Sequence, residues 1–254
     1  MLEGEVLRDD QWARIELFVP GGRKGKRGPR SNGRLFVDAL LWMARSGGRW
    51  RDLPERFGPY QTAKRRYYRW IEMGVLNRLF EAVAAEPDLE WAMLDATVIR
   101  AHAQAAGARP KKGGPHAQAL GRSRGGFGTK IHVCVDALGL PVRIALGPGQ
   151  QNDMAPACDL IDGLAAQNVL ADKAYDADRL YEKIIAQGGD PVVPPRRHRK
   201  RQHAYDAVLY KERNRVERFF SRIKHFRRIA TRYDKLAANF MGFVTLAAIM
   251  LWLK

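Results

Sequence analysis

Apolar residues recur at helical spacing through the first third of the chain and at strand spacing through the second. Trp12, Ile15, Phe18 and Val19 form one stripe, with Leu17 off it, behind Asp9 and Asp10, either of which can cap a helix that Pro20-Gly21-Gly22 ends. Phe36, Leu40 and Met43, with Val37 and Leu41 beside them, predict a second helix over 32–46. Two more are predicted over 61–73 and 75–85. After Glu86-Pro87-Asp88 the period shortens. The β-rich runs 90–98, 129–135 and 141–146, the last two joined by the turn sequence Asp136-Ala137-Leu138-Gly139, predict a three-strand meander.

Asn152-Asp153 can cap a helix to about residue 164, and 169–171 reads as a short buried strand. A helix over 177–187, ended by Gly188-Gly189, precedes a last strand at 192–193. The remainder predicts one long helix over 205–233 and an apolar helix over 236–253. Three antiparallel strands, then helix, strand, helix, strand and helix make an α/β arrangement with a mixed sheet, the order of the ribonuclease H-like fold. It is preceded by a small all-α domain of helix-turn-helix type. The expected domains are therefore 1–86 and 87–254, with no internal repeat.

Charge sharpens this picture. The 254 residues carry 44 Lys plus Arg against 27 Asp plus Glu, a formal +17, in a chain that is 46% hydrophobic. That describes a folded basic protein whose counter-partner is a polyanion, nucleic acid ahead of anionic lipid. In the helix over 61–73, Lys64, Arg65, Arg66 and Arg69 alternate with Tyr67, Tyr68 and Trp70, as in a DNA reader; a helical bundle with merely solvated cations is the alternative. Arg23, Lys24, Lys26, Arg27 and Arg30 sit among glycines. The stretch from Arg100 to Lys130 carries Arg109, Lys111, Lys112, Arg122 and Arg124 with no acid, and 196–201 is basic again. All three read as phosphate-contacting segments. Cys134 and Cys158 lack CxxC spacing, and the first 20 residues are too charged for a signal peptide, so a reduced, cytoplasmic setting is expected. The 18-residue stretch Leu236–Leu253 just reaches the lower limit for a membrane span, but Asn239, Gly242 and Thr245 interrupt it; a buried helix and no membrane partner are expected.

In so basic a chain, acids at the ends of buried strands need a reason. Asp95 follows Ala92-Met93-Leu94 and Asp172 follows Val169-Leu170-Ala171, where open α/β sheets place their ligand sites. Each alone could be a turn or cap, as Asp136 and Asp153 are expected to be. Tyr210, Arg213, Glu217 and Lys224 fall within an arc of roughly 60° at about 100° per residue, apart from the apolar arc of Val216, Phe219, Phe220, Ile223 and Phe226. Arg215, Arg218 and Arg222 point elsewhere. A simple Arg213–Glu217 ion pair would also account for Glu217.

The spacing Tyr210-x2-Arg213-x3-Glu217-x6-Lys224, with Asp95 in LDATVIRAH and Asp172 in ADKAYDAD, resembles the signature of DDE transposases of bacterial insertion sequences, and within them the insertion-sequence-five family. The likeness runs over nearly the whole chain: DDQWARIELFVP and RWRDLPERFGPYQTAKRRYYRW resemble that family's N-terminal helical domain, and GGFGTKIHVCVDALGLPVRIALGPGQQND its central strands. The resemblance implies a transposase that binds the terminal inverted repeats of its element, cleaves DNA and joins the 3′ ends to target DNA. Asp95, Asp172 and Glu217 would be catalytic and would hold two Mg²⁺ ions, with Mn²⁺ able to substitute. Arg213, Lys224, Tyr210, Lys173, Arg100 and His102 would contact DNA near the reacting phosphate, and the cations of the helix over 61–73 would contact it elsewhere. Double-stranded DNA, as element ends and target, is the implied partner, with a homodimer or higher oligomer on it and the nucleoid as its place. Two other readings share parts of the pattern: a ribonuclease H-like nuclease or resolvase shares the acids, and a non-catalytic repressor shares the helical domain. One departure is Ala174, where many relatives carry Gly; a positive φ there would strain alanine by about 1 kcal/mol.

Overall fold

The computed structural model describes residues 7–21, 32–107 and 117–254. The basic run Arg23–Arg30 and the positions of Arg109, Lys111 and Lys112 lie outside the described residues. The chain divides into two compact units, one made by the residues up to Ala85 together with Ile223–Lys254, the other by Glu86–Arg222.

The first unit is helical. It holds α1 (Asp9–Ile15), α2 (Gly33–Ser46), α3 (Tyr60–Glu72) and α4 (Val75–Val83). Asn32 caps α2 by accepting from the Leu35 amide, and Gly47, left-handed at φ 67°, ends it. The cap of α1 is Arg8, one residue ahead of the aspartates, which instead occupy its first turn. The apolar C-terminal helix, α9 (Ala237–Trp252), is buried along Phe240 and from Gly242 to Leu251. A helix apolar on every side must be enclosed, and the stripes of α2, α3 and α4 enclose it. Residues 223–254 therefore cluster with the helices and not with the sheet. Gly242 permits the closest approach: a Cβ there would sit 2.3 Å from Ile71 Cδ1 and 2.5 Å from the Tyr67 hydroxyl. Among the described residues no helix is long and apolar enough to cross a membrane.

The second unit carries the sheet. Its strands are β1 (Trp91–Ala101), β2 (Gly121–Ser123), β3 (Gly126–Val135), β4 (Pro141–Pro148), β5 (Asn168–Ala171) and β6 (Asp190–Val192). β3 runs antiparallel to β1 on one side and β4 on the other, while β5 pairs parallel with β1 and β6 parallel with β5. This is the mixed sheet expected of the ribonuclease H-like order. The short β2, which pairs with the start of β3, was not legible in the glycine-rich stretch that holds it. Helix α5 is only Ala157–Ile161, and α6 is Asp178–Ala186.

The long helix expected over 205–233 is broken. A 3₁₀ turn over Leu209–Arg213 leads into α7 (Asn214–Lys224), and α8 (Arg227–Ala230) follows after Phe226. The break lets buried Ile229 and Arg228 enter the helical unit. There Arg228 bonds Asp234 bidentately, at 3.0 and 3.2 Å, and stacks on Phe243.

Candidate active site

Strand alternation decides which face each acid meets. Ala92, Leu94, Val169, Ala171 and Cys134 pack with Leu160, Ile161, Leu180 and Ile184 of α5 and α6 in one buried cluster. Asp95 and Asp172 belong to the alternate set and leave by the other face. The parallel register ends at Leu94↔Ala171, so the next residue along each comes side by side: Asp172 just past the end of β5, and Asp95 in the middle of the longer β1, where it also pairs with Val133 of β3 and is not at the strand end that the sequence suggested. Past Ala171 the chain turns into a 3₁₀ segment, Lys173–Tyr175, capped by Asp172, whose Oδ1 accepts from the Ala174 amide at 2.7 Å. Ala174 is not at positive φ, a conformation that only Ala119 adopts among the described non-glycine residues, so the expected strain is absent.

The 3₁₀ turn before α7 delivers the counter-charge. Arg213 Nη1 donates to Asp95 Oδ2 at 3.0 Å and Nη2 to Glu217 Oε1 at 2.6 Å, while Asp95 Oδ1 accepts from the Ala96 amide at 2.8 Å. Tyr210, three residues earlier, places its ring 5.9 Å from the Arg213 guanidinium, because i and i+3 eclipse in a 3₁₀ helix. Burial, and to a smaller extent the neighbouring Asp172 charge, push the Asp95 carboxyl above its ordinary value against the opposing pull of the Ala96 amide and Arg213. For Arg213 burial works downward, but the charges of Asp95, Tyr210, Glu217 and Asp172 outweigh it and raise the guanidinium. The donor set has the hard oxygens a divalent ion prefers. Among the described residues, however, no three His, Cys, Asp or Glu side chains are gathered closely enough to hold one, because Arg213 stands between Asp95 and Glu217.

The other expected contacts scatter. Lys173 is exposed beside Asp172, its carbonyl accepting from Arg196 Nε at 3.0 Å. Lys224, the exposed last residue of α7, stands roughly 10 Å along the helix axis from Glu217. Arg100, also exposed, lies about 17 Å along β1 from Asp95. His102, beyond it, caps a 3₁₀ turn by accepting from the Gln104 amide at Nδ1, 3.2 Å away. On α3, Arg65 and Arg69 are exposed one turn apart, and Lys64 lies 5.7 Å over Tyr68. Arg66 instead packs inward: its guanidinium covers Phe36 at 4.2 Å and Trp70 at 5.4 Å and donates to the Pro20 carbonyl. Tyr67 and Trp70 are buried, with the Tyr67 hydroxyl donating to the Asn239 carbonyl at 2.6 Å and its ring stacked on Phe243. Tyr67 and Trp70 of this helix are core, Tyr68 is half-buried, and its outward face is cationic.

Sequence reasoning missed one polar cluster in the sheet unit. Asp153 caps no helix; its Oδ1 pairs with Lys130 Nζ at 2.8 Å, and the same ammonium reaches the Gln151 carbonyl. His132 is fully buried beside Gln151, and burial lowers its imidazole to about 4. The buried Tyr175 phenol is raised first by burial and then by Asp153, Asp95 and Asp172. The signal was present: Lys130 and His132 alternate on one face of an otherwise apolar strand.

Known proteins resemble the chain over both of its parts. Residues 88–253 match the family described as "Transposase DDE domain", and residues 7–80 the one described as "Putative transposase of IS4/5 family". An uncharacterized protein, y4sN, of Sinorhizobium fredii is 72% identical over 113 residues, 44% of this chain and 90% of that protein. The "Putative transposase for insertion sequence element IS6501" of Brucella ovis is 43% identical over 128 residues, 50% of this chain and 98% of that protein. Among solved structures, the piggyBac transposase synaptic complex with hairpin DNA matches 75% of this chain at 12% identity and a TM-score of 0.42. The chain spans about half of that neighbour's length, 48%.

Proposed function

The chain belongs to the transposase DDE domain family, and from that premise we propose that it binds the terminal inverted repeats of an insertion sequence, cleaves there and joins the 3′ ends to target DNA. Proteins with this domain use divalent metal ions. The ions would be two Mg²⁺, held by Asp95, Asp172 and Glu217 once Arg213 gives up its place between Asp95 and Glu217. When bound they would lower the pKa of an attacking water and neutralise charge on the attacking and leaving oxygens. The observation that carries the reading is the side-by-side placement of Asp95 and Asp172 with Arg213 bridging from Asp95 to Glu217.

The protein's own residues then have distinct tasks. Arg213 balances the carboxylates while no substrate is present, and its planar fork matches the geometry of a phosphate beside the scissile bond. Tyr210 holds the guanidinium in that orientation, and the Ala96 and Ala174 amides fix the two aspartate side chains. Lys173 and Lys224 extend positive charge outward from the site, where the strand leaving it would pass. Arg65 and Arg69, exposed on α3, support a role for residues 1–86 in choosing the element ends, with 87–254 handling catalysis. A homodimer or higher oligomer on nucleoid DNA in the cytoplasm completes the proposal.

Asp95→Asn, Asp172→Asn and Glu217→Gln are the test, with exposed Glu182→Gln as the control. Each site variant keeps side-chain size but removes a hard anionic ligand, so metal-dependent cleavage and strand transfer should fall together by several kcal/mol of barrier, on the order of a thousandfold or more. DNA binding should persist, because losing a negative charge cannot weaken attraction to phosphate. An active Glu217→Gln protein would refute the assignment of Glu217 as a metal ligand.

A further inference from the structure

The same segment that presents Arg213 and Glu217 presents a second charged stripe. On α7, Arg215, Arg218 and Arg222 stand at offsets of 0, 3 and 7 residues, which at about 100° per residue is an arc of roughly 60° centred some 130° around the axis from Glu217, and Lys211 precedes them in the 3₁₀ turn. Together with Glu212, Asn214 and Leu138 of the β3–β4 turn they line a concave cavity of about 330 Å³, the volume of a small ligand site. Within it four cations meet one carboxylate, leaving a net charge of three.

The four cations are not equivalent. Arg215 is committed: it bonds Glu212 at 2.9 Å, donates to the Ala137 carbonyl at 2.5 Å and lies 5.2 Å over Trp91, so it braces the wall. Arg218 uses only its Nε, on Asn214 Oδ1 at 3.2 Å. Lys211 and Arg222 are exposed, and neither belongs to an ion pair among the described residues. Like charges one or two turns apart repel one another, and a concavity strengthens that repulsion. A polyanion opposite the cluster would relieve that repulsion. The axial rise from Arg215 to Arg222 is roughly 10 Å, about the rise of three base pairs along a duplex axis.

We propose that this face of α7 is a second phosphate-binding site for duplex DNA, holding a stretch of backbone other than the one being cut at Asp95 and Glu217. The inference rests on the DNA-processing function proposed above. It assigns no base reading to the stripe, since an Arg and Lys row facing phosphates positions a duplex without specifying sequence.

Binding of the full chain to a random-sequence duplex, followed by fluorescence anisotropy as salt is raised, tests it. Arg218→Gln with Arg222→Gln should reduce the slope of log affinity against log salt by about 1.8, two contacts at about 0.9 each. Arg218→Lys with Arg222→Lys should retain the slope, and Lys183→Gln with Lys254→Gln, which removes two cations elsewhere, should leave it unchanged. A steep wild-type slope that the Gln pair fails to reduce overturns this site and leaves the DNA reading intact. A flat wild-type slope overturns both.

Discussion

Replacing Arg213 with Gln tests whether the cation between Asp95 and Glu217 is structural as well as functional. The Arg213 side chain is 17% exposed and Asp95 19%, whereas Glu217 is 58% exposed. The two arms of the bridge therefore differ in worth. The exposed Glu217 arm is an ordinary i,i+4 pair of about 0.3–0.5 kcal/mol. Removing one partner from a fully buried pair costs about 3–5 kcal/mol, and the Asp95 arm, part-exposed, should fall below that range. We expect the variant to lose about 2–3 kcal/mol at neutral pH. The loss should depend on pH in a known direction. Asp95 already titrates above its ordinary value because it is buried, and taking away Arg213 removes one of the influences that hold it down. A carboxyl raised in the folded state binds a proton more readily there than in the unfolded chain, so stability improves as pH falls through the raised value towards the ordinary one. Once Asp95 is neutral, the guanidinium has little left to pair with. The deficit of Arg213→Gln should thus be largest near pH 7 and shrink as pH falls through the folded value. Urea unfolding of both proteins at pH 7 and in the acid range measures it. A variant as stable as the parent at pH 7, or one with a deficit independent of pH, refutes the reasoning.

Two further outcomes are expected. The His132 imidazole, lowered to about 4 by burial, stays neutral in the folded state while the unfolded chain takes up a proton below its ordinary 6.5; stability should therefore be lost as pH falls from 6.5 to 4, by up to about 3 kcal/mol, and His132→Gln should flatten that stretch of the denaturation profile. Ala174→Gly should bring no gain: Ala174 occupies a 3₁₀ turn without positive φ, so glycine only adds unfolded-state entropy and should lower thermal stability by about 0.5–1 kcal/mol, whereas a rise in melting temperature would restore the idea of strain at that position.

The periodicity of the chain, by itself, determined the succession of elements: helical stripes through α4, the β1–β3–β4 meander, and the strand–helix alternation that makes the sheet mixed. It also located Asp172 at a strand end and set Arg213 and Glu217 on one stripe, because these are matters of residues within a few turns of one another, whereas Asp95, expected late in a strand over 90–98, lies in the middle of a β1 that runs on to Ala101. What it could not decide was which distant surfaces meet. Only the parallel pairing of β1 with β5 places Asp95 against an aspartate 77 residues away, and only the docking of the 3₁₀ turn beside that pair puts the Arg213 guanidinium between two carboxylates. Arg66 and Arg65 are neighbours of one residue type in the sequence, yet one covers Phe36 and the other faces solvent. Asp153 stands where a helix cap is expected and is claimed instead by Lys130 from another strand. The apolar α9 announces that it must be buried, while the partner that buries it is fixed by the glycine at 242, which lets the Tyr67 side chain come into contact. Local propensity acts through torsions and nearest neighbours; the choice among long-range partners is made by the burial and charge pairing that the whole packed chain can satisfy at once.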